Sequence, residues 1–135
     1  MIDLYPHKGV STVHPEWREA CFKAWKHVRY GKAIHIVKNT LKTLINKYKV
    51  PNYIDFLTID TEGHDLYVLK GMDWDHSRPE LVCCEVMDMV HPERRLKKGR
   101  WKPSDELLFY MDEVGYVCAK LTRGGNALFI RKRND

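Results

Sequence analysis

The apolar positions of the chain follow two spacings, one typical of amphipathic helices and the other of buried strands. Apolar residues three or four positions apart predict helices, and continuous apolar runs predict strands buried on both faces. The first spacing predicts helices over about 15–29, 41–48, 63–70 and between Ser104 and Gly115. The second predicts strands over 33–37, 53–59, 81–86, 116–121 and 127–131. Residues 2–12 are rich in turn-forming residues and are predicted to be irregular.

Helices and strands alternate along most of the chain, which is typical of an α/β layered sheet. We therefore predict one domain over residues 1–135, with a sheet of mostly parallel strands. The last two strands flank the turn at 123–126 and are expected to form an antiparallel hairpin at one edge of that sheet. Asn39 or Thr40 is expected to cap the second helix, and Ser104 the fourth.

Composition narrows the class of protein. The chain has 135 residues, a formal net charge of +5 and 44% hydrophobic residues, which excludes a disordered chain. No apolar run approaches the roughly 18 residues of a membrane-spanning helix, and residues 1–10 lack the apolar core of a signal peptide. The four cysteines have no CxxC spacing and are expected to be reduced and packed as small apolar residues. These features favour a cytoplasmic protein without a membrane partner.

Carboxylates follow two of the predicted strands. Asp60 and Glu62 come directly after the strand over 53–59, and Glu85 lies near the end of the strand over 81–86. Ligands of open α/β sheets bind outside the carboxyl ends of the strands, so neighbouring strands would bring these three side chains to one crevice. A carboxylate there can act as a general base toward a hydroxyl, help to bind a divalent ion or hold a ligand amine.

The same segment has a purely structural interpretation. Asp60 or Thr61 can cap the helix that starts near Gly63, and Glu62 favours the positive end of that helix. His64 is the one nearby group whose ordinary pKa suits a base near neutral pH. The spacing alone leaves both interpretations open.

A longer string is more specific than these single residues. Residues 54–71, IDFLTIDTEGHDLYVLKG, followed by RPELVCCE at 78–85, resemble the hallmark segment of the FkbM-type methyltransferase family. Upstream, Ser11 and Thr12 followed by Trp17 are similar to a family loop, and downstream Gly115-Tyr116 and NALFI at 126–130 are similar to its last motifs. The resemblance runs in order along nearly the whole chain.

The resemblance implies a Rossmann-like fold and transfer of a methyl group from S-adenosylmethionine to an oxygen of a small molecule or sugar. Asp60 would then lie at the end of the fourth sheet strand and face both cofactor and acceptor. His64-Asp65 stands where many members have Ala-Glu, so the role of His64 as a base is inferred from its chemistry. The predicted site residues are Asp60, Glu62 and His64 for catalysis, Asp60 and Gly63 for the cofactor, and Glu85, His91 and Asn126 for the acceptor, with no metal.

One family feature is missing from these 135 residues. A Gly-rich turn after a first strand, which would hold the cofactor, does not occur, and Gly124-Gly125 precedes no helix. We therefore expect the chain to correspond to the C-terminal portion of the methyltransferase domain, with an exposed edge on the strand that contains Phe56. Such an edge favours a homodimer or docking on a separate N-terminal half. The alternative is a non-catalytic, truncated relative that serves as a binding or assembly module.

A basic segment stands apart from these motifs. Six Lys or Arg residues and Trp101 fall within 94–102, a composition compatible with nucleic-acid binding, an acidic substrate or a solvated loop. The pI of about 9.0 is only moderately basic and no RNA-binding motif occurs, so nucleic acid is not the expected partner.

Overall fold

The computed structural model describes residues 1–88 and 102–133. Within these residues the chain forms four helices and six strands. In chain order they are β1 (Ile2–Leu4), α1 (Pro15–Ala24), β2 (Ile34–Ile36), α2 (Leu41–Tyr48), β3 (Phe56–Ile59), α3 (Asp65–Lys70), β4 (Leu81–Glu85), α4 (Asp105–Glu113), β5 (Tyr116–Leu121) and β6 (Asn126–Arg131).

The main sheet has four strands in the order β3-β4-β6-β5. β3 and β4 are parallel and are joined through α3, whereas β6 runs antiparallel to both β4 and β5. The α/β class and the C-terminal hairpin are therefore confirmed. The sheet is mixed: β3, β4 and β5 run in the same direction, as expected for mostly parallel strands, and only β6, the returning strand of the hairpin, is reversed and lies between β4 and β5.

The N-terminal segment differs from its prediction. Residues 2–4 form β1, which pairs antiparallel with β2 in a separate two-stranded sheet, and Tyr5 bridges to Thr12. Two predictions are thereby corrected: residues 2–4 are a strand rather than irregular, whereas residues 6–11 are loop and turn as predicted, and the strand near 33–37 does not join the main sheet. β1 and β2 have three residues each, which is too short to show the alternation of apolar and polar positions that predicts a strand.

Two helices are shorter than predicted. α1 ends at Ala24 rather than near residue 29, because Trp25 adopts an extended conformation. Val28 is buried through the turn that follows, which explains why its spacing suggested a longer helix. α3 begins at Asp65 rather than at 63, because Glu62 and Gly63 have left-handed backbone conformations.

Side-chain caps fix the starts of α2 and α4. The hydroxyl of Thr40 accepts a hydrogen bond from the backbone N–H of Thr43 at 3.1 Å, which settles the choice between Asn39 and Thr40. The hydroxyl of Ser104 accepts from the backbone N–H of Leu107 at 3.3 Å, as predicted.

The core lies between the main sheet and helices α3 and α4. Its fully buried members are Leu69, Val82, Cys84, Val86, Met111, Tyr116, Ala127 and Phe129. All four cysteines are free, and Cys84 is buried while the adjacent Cys83 is only partly so, as expected for neighbours on opposite faces of a strand. No helix in the described part of the chain is long and apolar enough to cross a membrane.

Candidate functional site at the ends of β3 and β4

The carboxyl ends of β3 and β4 lie side by side. Their register pairs Ile59 with Cys84, so Asp60 and Glu85 come next at the same edge of the sheet. Negative charges of Glu62, Asp65 and Asp60 all act on Glu85, in that order of strength. The predicted carboxylates are therefore close enough to interact, but the expectation that they share one crevice is wrong, because Asp60 and Glu85 line different cavities.

The segment between Asp60 and α3 is held by the N-terminal part of the chain. The hydroxyl of Thr12 donates to the carbonyl of Glu62 at 2.7 Å, and the indole N–H of Trp17 donates to Glu62 Oε2 at 3.2 Å. Gly63 has φ +90°, and a Cβ there would come within 2.5 Å of the Trp17 ring. Backbone conformation and close packing thus explain why residue 63 is glycine.

Asp65 is a buried carboxylate that bonds to both strand ends. Its Oδ2 accepts from the backbone N–H and the hydroxyl of Thr61 at 3.2 and 2.8 Å. Its Oδ1 accepts from the backbone N–H of Glu85 at 3.1 Å. The predicted caps of α3 are not observed, since the N-cap residue is His64 and it makes no side-chain cap bond.

Glu85 lines a cavity of about 430 Å³ between the start of α3, the start of α4 and α1. Its Oε2 is buried and has no hydrogen-bond partner in the described part of the chain. Burial is the main cause that raises the pKa of Glu85 to about 8, and the neighbouring carboxylates add to the rise. A largely protonated carboxyl at neutral pH can donate a hydrogen bond to a ligand oxygen.

Asp60, Thr61 and His64 line a second cavity, of about 620 Å³, with a mainly apolar wall. Apolar side chains from β1, β2 and α2 supply that wall: Ile2, Leu4, Ile36, Leu41 and Leu44. The two cavities share Tyr67.

The surroundings of His64 in this cavity favour the neutral form of its imidazole. Its ring stacks on that of Tyr67 with centroids 4.6 Å apart, and its Nδ1 is buried without a hydrogen-bond partner among the described residues. Burial lowers the pKa of His64, and the neighbouring charges of His14 and Lys38 lower it further. A neutral imidazole is the form that accepts a proton.

The predicted site residues are thus divided between two cavities. Asp60 and His64 line the apolar one, and Gly63 and Glu85 line the other. The carboxylate of Glu62 is engaged by Trp17, and burial raises its pKa.

The remaining predictions concern the acceptor side. Asn126 lies opposite Glu85 in the β4–β6 register, and its backbone N–H donates to the hydroxyl of Thr122 at 3.0 Å. His91 lies outside the described residues, as does the basic segment apart from Lys102, which pairs with Asp105. Within 1–88 and 102–133, no group of His, Cys, Asp or Glu side chains has the geometry to hold a metal ion.

Three residues that build the site were not among the predicted ones. Asp65, Trp17 and Thr12 hold the loop and the strand ends together through the bonds described above. Each falls inside a stretch that carried the family resemblance, so a signal for their importance was present. Their contacts were not predictable, because Thr12 and Trp17 lie 50 and 45 positions from Glu62.

Comparison with known proteins bears on this arrangement. The family model described as the methyltransferase FkbM domain matches residues 8–118, a stretch that includes α1, both strand ends, the cavity lined by Glu85, and the lining of the second cavity apart from Ile2 and Leu4. Neither the curated proteins nor the solved structures give a significant match. The family match spans most of the chain, and the chain therefore belongs to the FkbM methyltransferase domain family.

Proposed function

We propose that this chain supplies the acceptor-facing part of an S-adenosylmethionine-dependent O-methyltransferase that acts on a hydroxyl of a small molecule or sugar. The observation that carries the proposal is the family match over 8–118, which spans the paired ends of β3 and β4. The parallel β3–α3–β4 unit, with its carboxylates at the carboxyl ends of the strands, supports a Rossmann-like arrangement.

The described residues offer groups that suit part of S-adenosylmethionine. When bound, S-adenosylmethionine supplies an electrophilic methyl group on a cationic sulfonium. Asp60 offers a carboxylate for its positive charge in a cavity of about 620 Å³, and the apolar wall of that cavity offers a surface for a flat ring. The sequence holds no Gly-rich loop for the rest of the molecule.

His64 and Glu85 are suited to the acceptor. The neutral imidazole of His64 can take the proton that a hydroxyl loses as its oxygen is methylated. The protonated carboxyl of Glu85 can donate a hydrogen bond that orients a second oxygen of a sugar or small molecule. Two cavities on either side of the 60–65 segment give such an acceptor room beside the cofactor.

We also infer that β3 pairs with a strand outside these residues. β3 has a neighbour on only one side within the described sheet, and parallel strands are usually buried in the interior of a sheet. A second copy of this chain or a separate cofactor-binding half would supply the missing neighbour. Free cysteines favour a reducing, cytoplasmic setting for that assembly.

The test is titration of the chain with S-adenosylmethionine, followed by calorimetry and thermal unfolding. Specific binding should stabilise the fold by about 2.7 kcal/mol at a ligand concentration 100 times the dissociation constant. Asp60→Asn should weaken binding, while Asp55→Asn, which removes an exposed carboxylate before the other end of β3, should not. No stabilisation of the wild-type chain would contradict the proposal for the chain by itself and favour the binding or assembly module.

A further inference from the structure

Asp65 joins two segments that are far apart in sequence. It accepts three hydrogen bonds, two from Thr61 on the loop after β3 and one from the backbone N–H of Glu85, the last residue of β4. Only 3% of its surface is exposed. A carboxylate is costly to bury unless its oxygens are bonded, so these three bonds account for its presence in the interior.

Helix capping does not explain this arrangement. A capping side chain accepts from backbone N–H groups in the first turn of its own helix, whereas Asp65 accepts from four residues upstream and from another strand. The register ends with the pair Ile59 and Cys84, so Glu85 lies one residue past the last pair of β3 and β4. The Asp65 carboxylate bonds to the backbone N–H of Glu85 and to Thr61, and it therefore adds a link between the end of β4 and the loop after β3.

We propose that Asp65 is a positioning residue, which fixes Glu85 and the 60–64 loop relative to each other. The inference takes the purpose of this link from the proposed function, but the link itself can be tested without any ligand. Asp65 acts indirectly, because it bonds to the backbone N–H of Glu85 and not to the molecule that would be methylated.

The charges around Glu85 agree with this role. Those that act on its carboxyl come from the 60–65 segment, namely Glu62, Asp65 and Asp60. The same cavity is also lined by charged or titratable groups of the α1 region, of the segment after β4 and of α4, namely His14, Glu16, Asp88, Asp105 and Glu106. Asp65 combines its charge with a hydrogen bond from the backbone N–H of Glu85. Its removal should therefore change both the place of Glu85 and its proton affinity.

The experiment is NMR of the full chain carrying Asp65→Asn, without ligand. The pKa of Glu85, followed through its side-chain carboxyl carbon, should fall by roughly one pH unit, because a neighbouring negative charge is lost and the side chain is less confined. Exchange of the Glu85 amide hydrogen should accelerate roughly tenfold relative to that of Val82 in the same strand. Asp73→Asn, which removes another carboxylate with two side-chain partners, is the matched control.

The outcomes separate positioning from bulk stability. If Asp65→Asn speeds exchange equally at Glu85 and Val82 and leaves the pKa of Glu85 unchanged, Asp65 only stabilises the fold and the proposal is overturned. If that variant does not fold, Thr61→Val removes one donor instead. It should raise the pKa of Asp65 and preserve the protection of the Glu85 amide, and an unchanged pKa of Asp65 would overturn the proposal.

A failure of the methyltransferase proposal can be distinguished from a failure of the proposal for Asp65. Should the wild-type chain not bind S-adenosylmethionine, the NMR result would still decide whether Asp65 holds Glu85. Should the wild-type chain bind it and Asp65→Asn perturb Glu85, weaker binding by the variant would connect the two proposals.

Discussion

The indole of Trp17 lies directly over Gly63 and closes the turn that leads into α3. A Cβ at residue 63 would come within 2.5 Å of the ring, and the same indole donates its N–H to Glu62. Trp17 belongs to α1, far from Gly63 in sequence, and only 2% of its surface is exposed. The conformation of the site loop is therefore imposed by a packing partner from the N-terminal part of the chain.

Gly63→Ala should destabilise the protein strongly. Alanine is strained at φ +90°, and its methyl group would push Trp17 away from the loop. We expect a loss of roughly 2–4 kcal/mol in the free energy of unfolding, measured by urea denaturation. Gly9→Ala is the control, since a Cβ there meets nothing within 4 Å and the change should stay within about 0.5 kcal/mol. Equal effects of the two substitutions would contradict the packing argument.

Glu85→Gln should change how stability depends on pH. The pKa of Glu85 is raised from 4.5 to about 8 in the folded chain, so the folded state binds this proton more tightly than the unfolded state. Stability from this group is present below the ordinary value and is lost as the pH rises toward the raised one. Glutamine cannot ionise, so the variant should gain stability relative to the wild type across that range. Parallel denaturation curves at several pH values test this, and a constant difference between the two proteins would refute it.

Strong local patterns made much of the fold predictable. The apolar runs before Asp60 and Glu85 correctly located the paired strands β3 and β4. The expected burial on both faces is wrong for β3, which covers only Phe56–Ile59 and has Ile59 as its one buried residue, because this strand has a neighbour on only one side in the described sheet. The hairpin and the caps at Thr40 and Ser104 follow from turn and capping chemistry that acts within a few residues. Elements of this kind depend little on the rest of the chain.

Features that depend on distant contacts were not predictable. Glu62 and Gly63 have left-handed conformations in the loop after Asp60, and Asp60 and Glu85 line different cavities; no periodicity encodes either feature. Asp65 has the sequence position of an ordinary polar residue at a helix start, yet it is buried against β4. The family resemblance located this region correctly, while the division of the site required the three-dimensional structure.

Tyr116→Phe should lower stability through one hydrogen bond. The hydroxyl of Tyr116 is buried and donates to the carbonyl of Pro79 at 2.6 Å, and the ring packs in the core against Trp74. Phenylalanine keeps the ring and leaves that carbonyl without its donor, which should cost about 1–2 kcal/mol in unfolding free energy. Tyr53→Phe, at an exposed residue before β3, should have no measurable effect. If thermal and urea unfolding do not distinguish the two variants, the bond contributes nothing to stability.

Phe56→Lys should suppress association through the open edge of β3. Phe56 is 51% exposed on a strand that has a neighbour only on its β4 side, and a lysine on an edge strand discourages pairing with another strand. We expect the wild-type chain to form dimers or larger species as its concentration rises, and the variant to stay monomeric, as judged by sedimentation velocity.

Phe109→Lys provides the matched control for that change. Phe109 is 65% exposed on α4, so its substitution adds the same charge and removes the same ring away from β3. Only an effect confined to Phe56→Lys supports pairing through the edge, because loss of association in both variants indicates general hydrophobic or charge effects. A wild-type chain that sediments as a monomer at all concentrations contradicts self-pairing through the edge of β3.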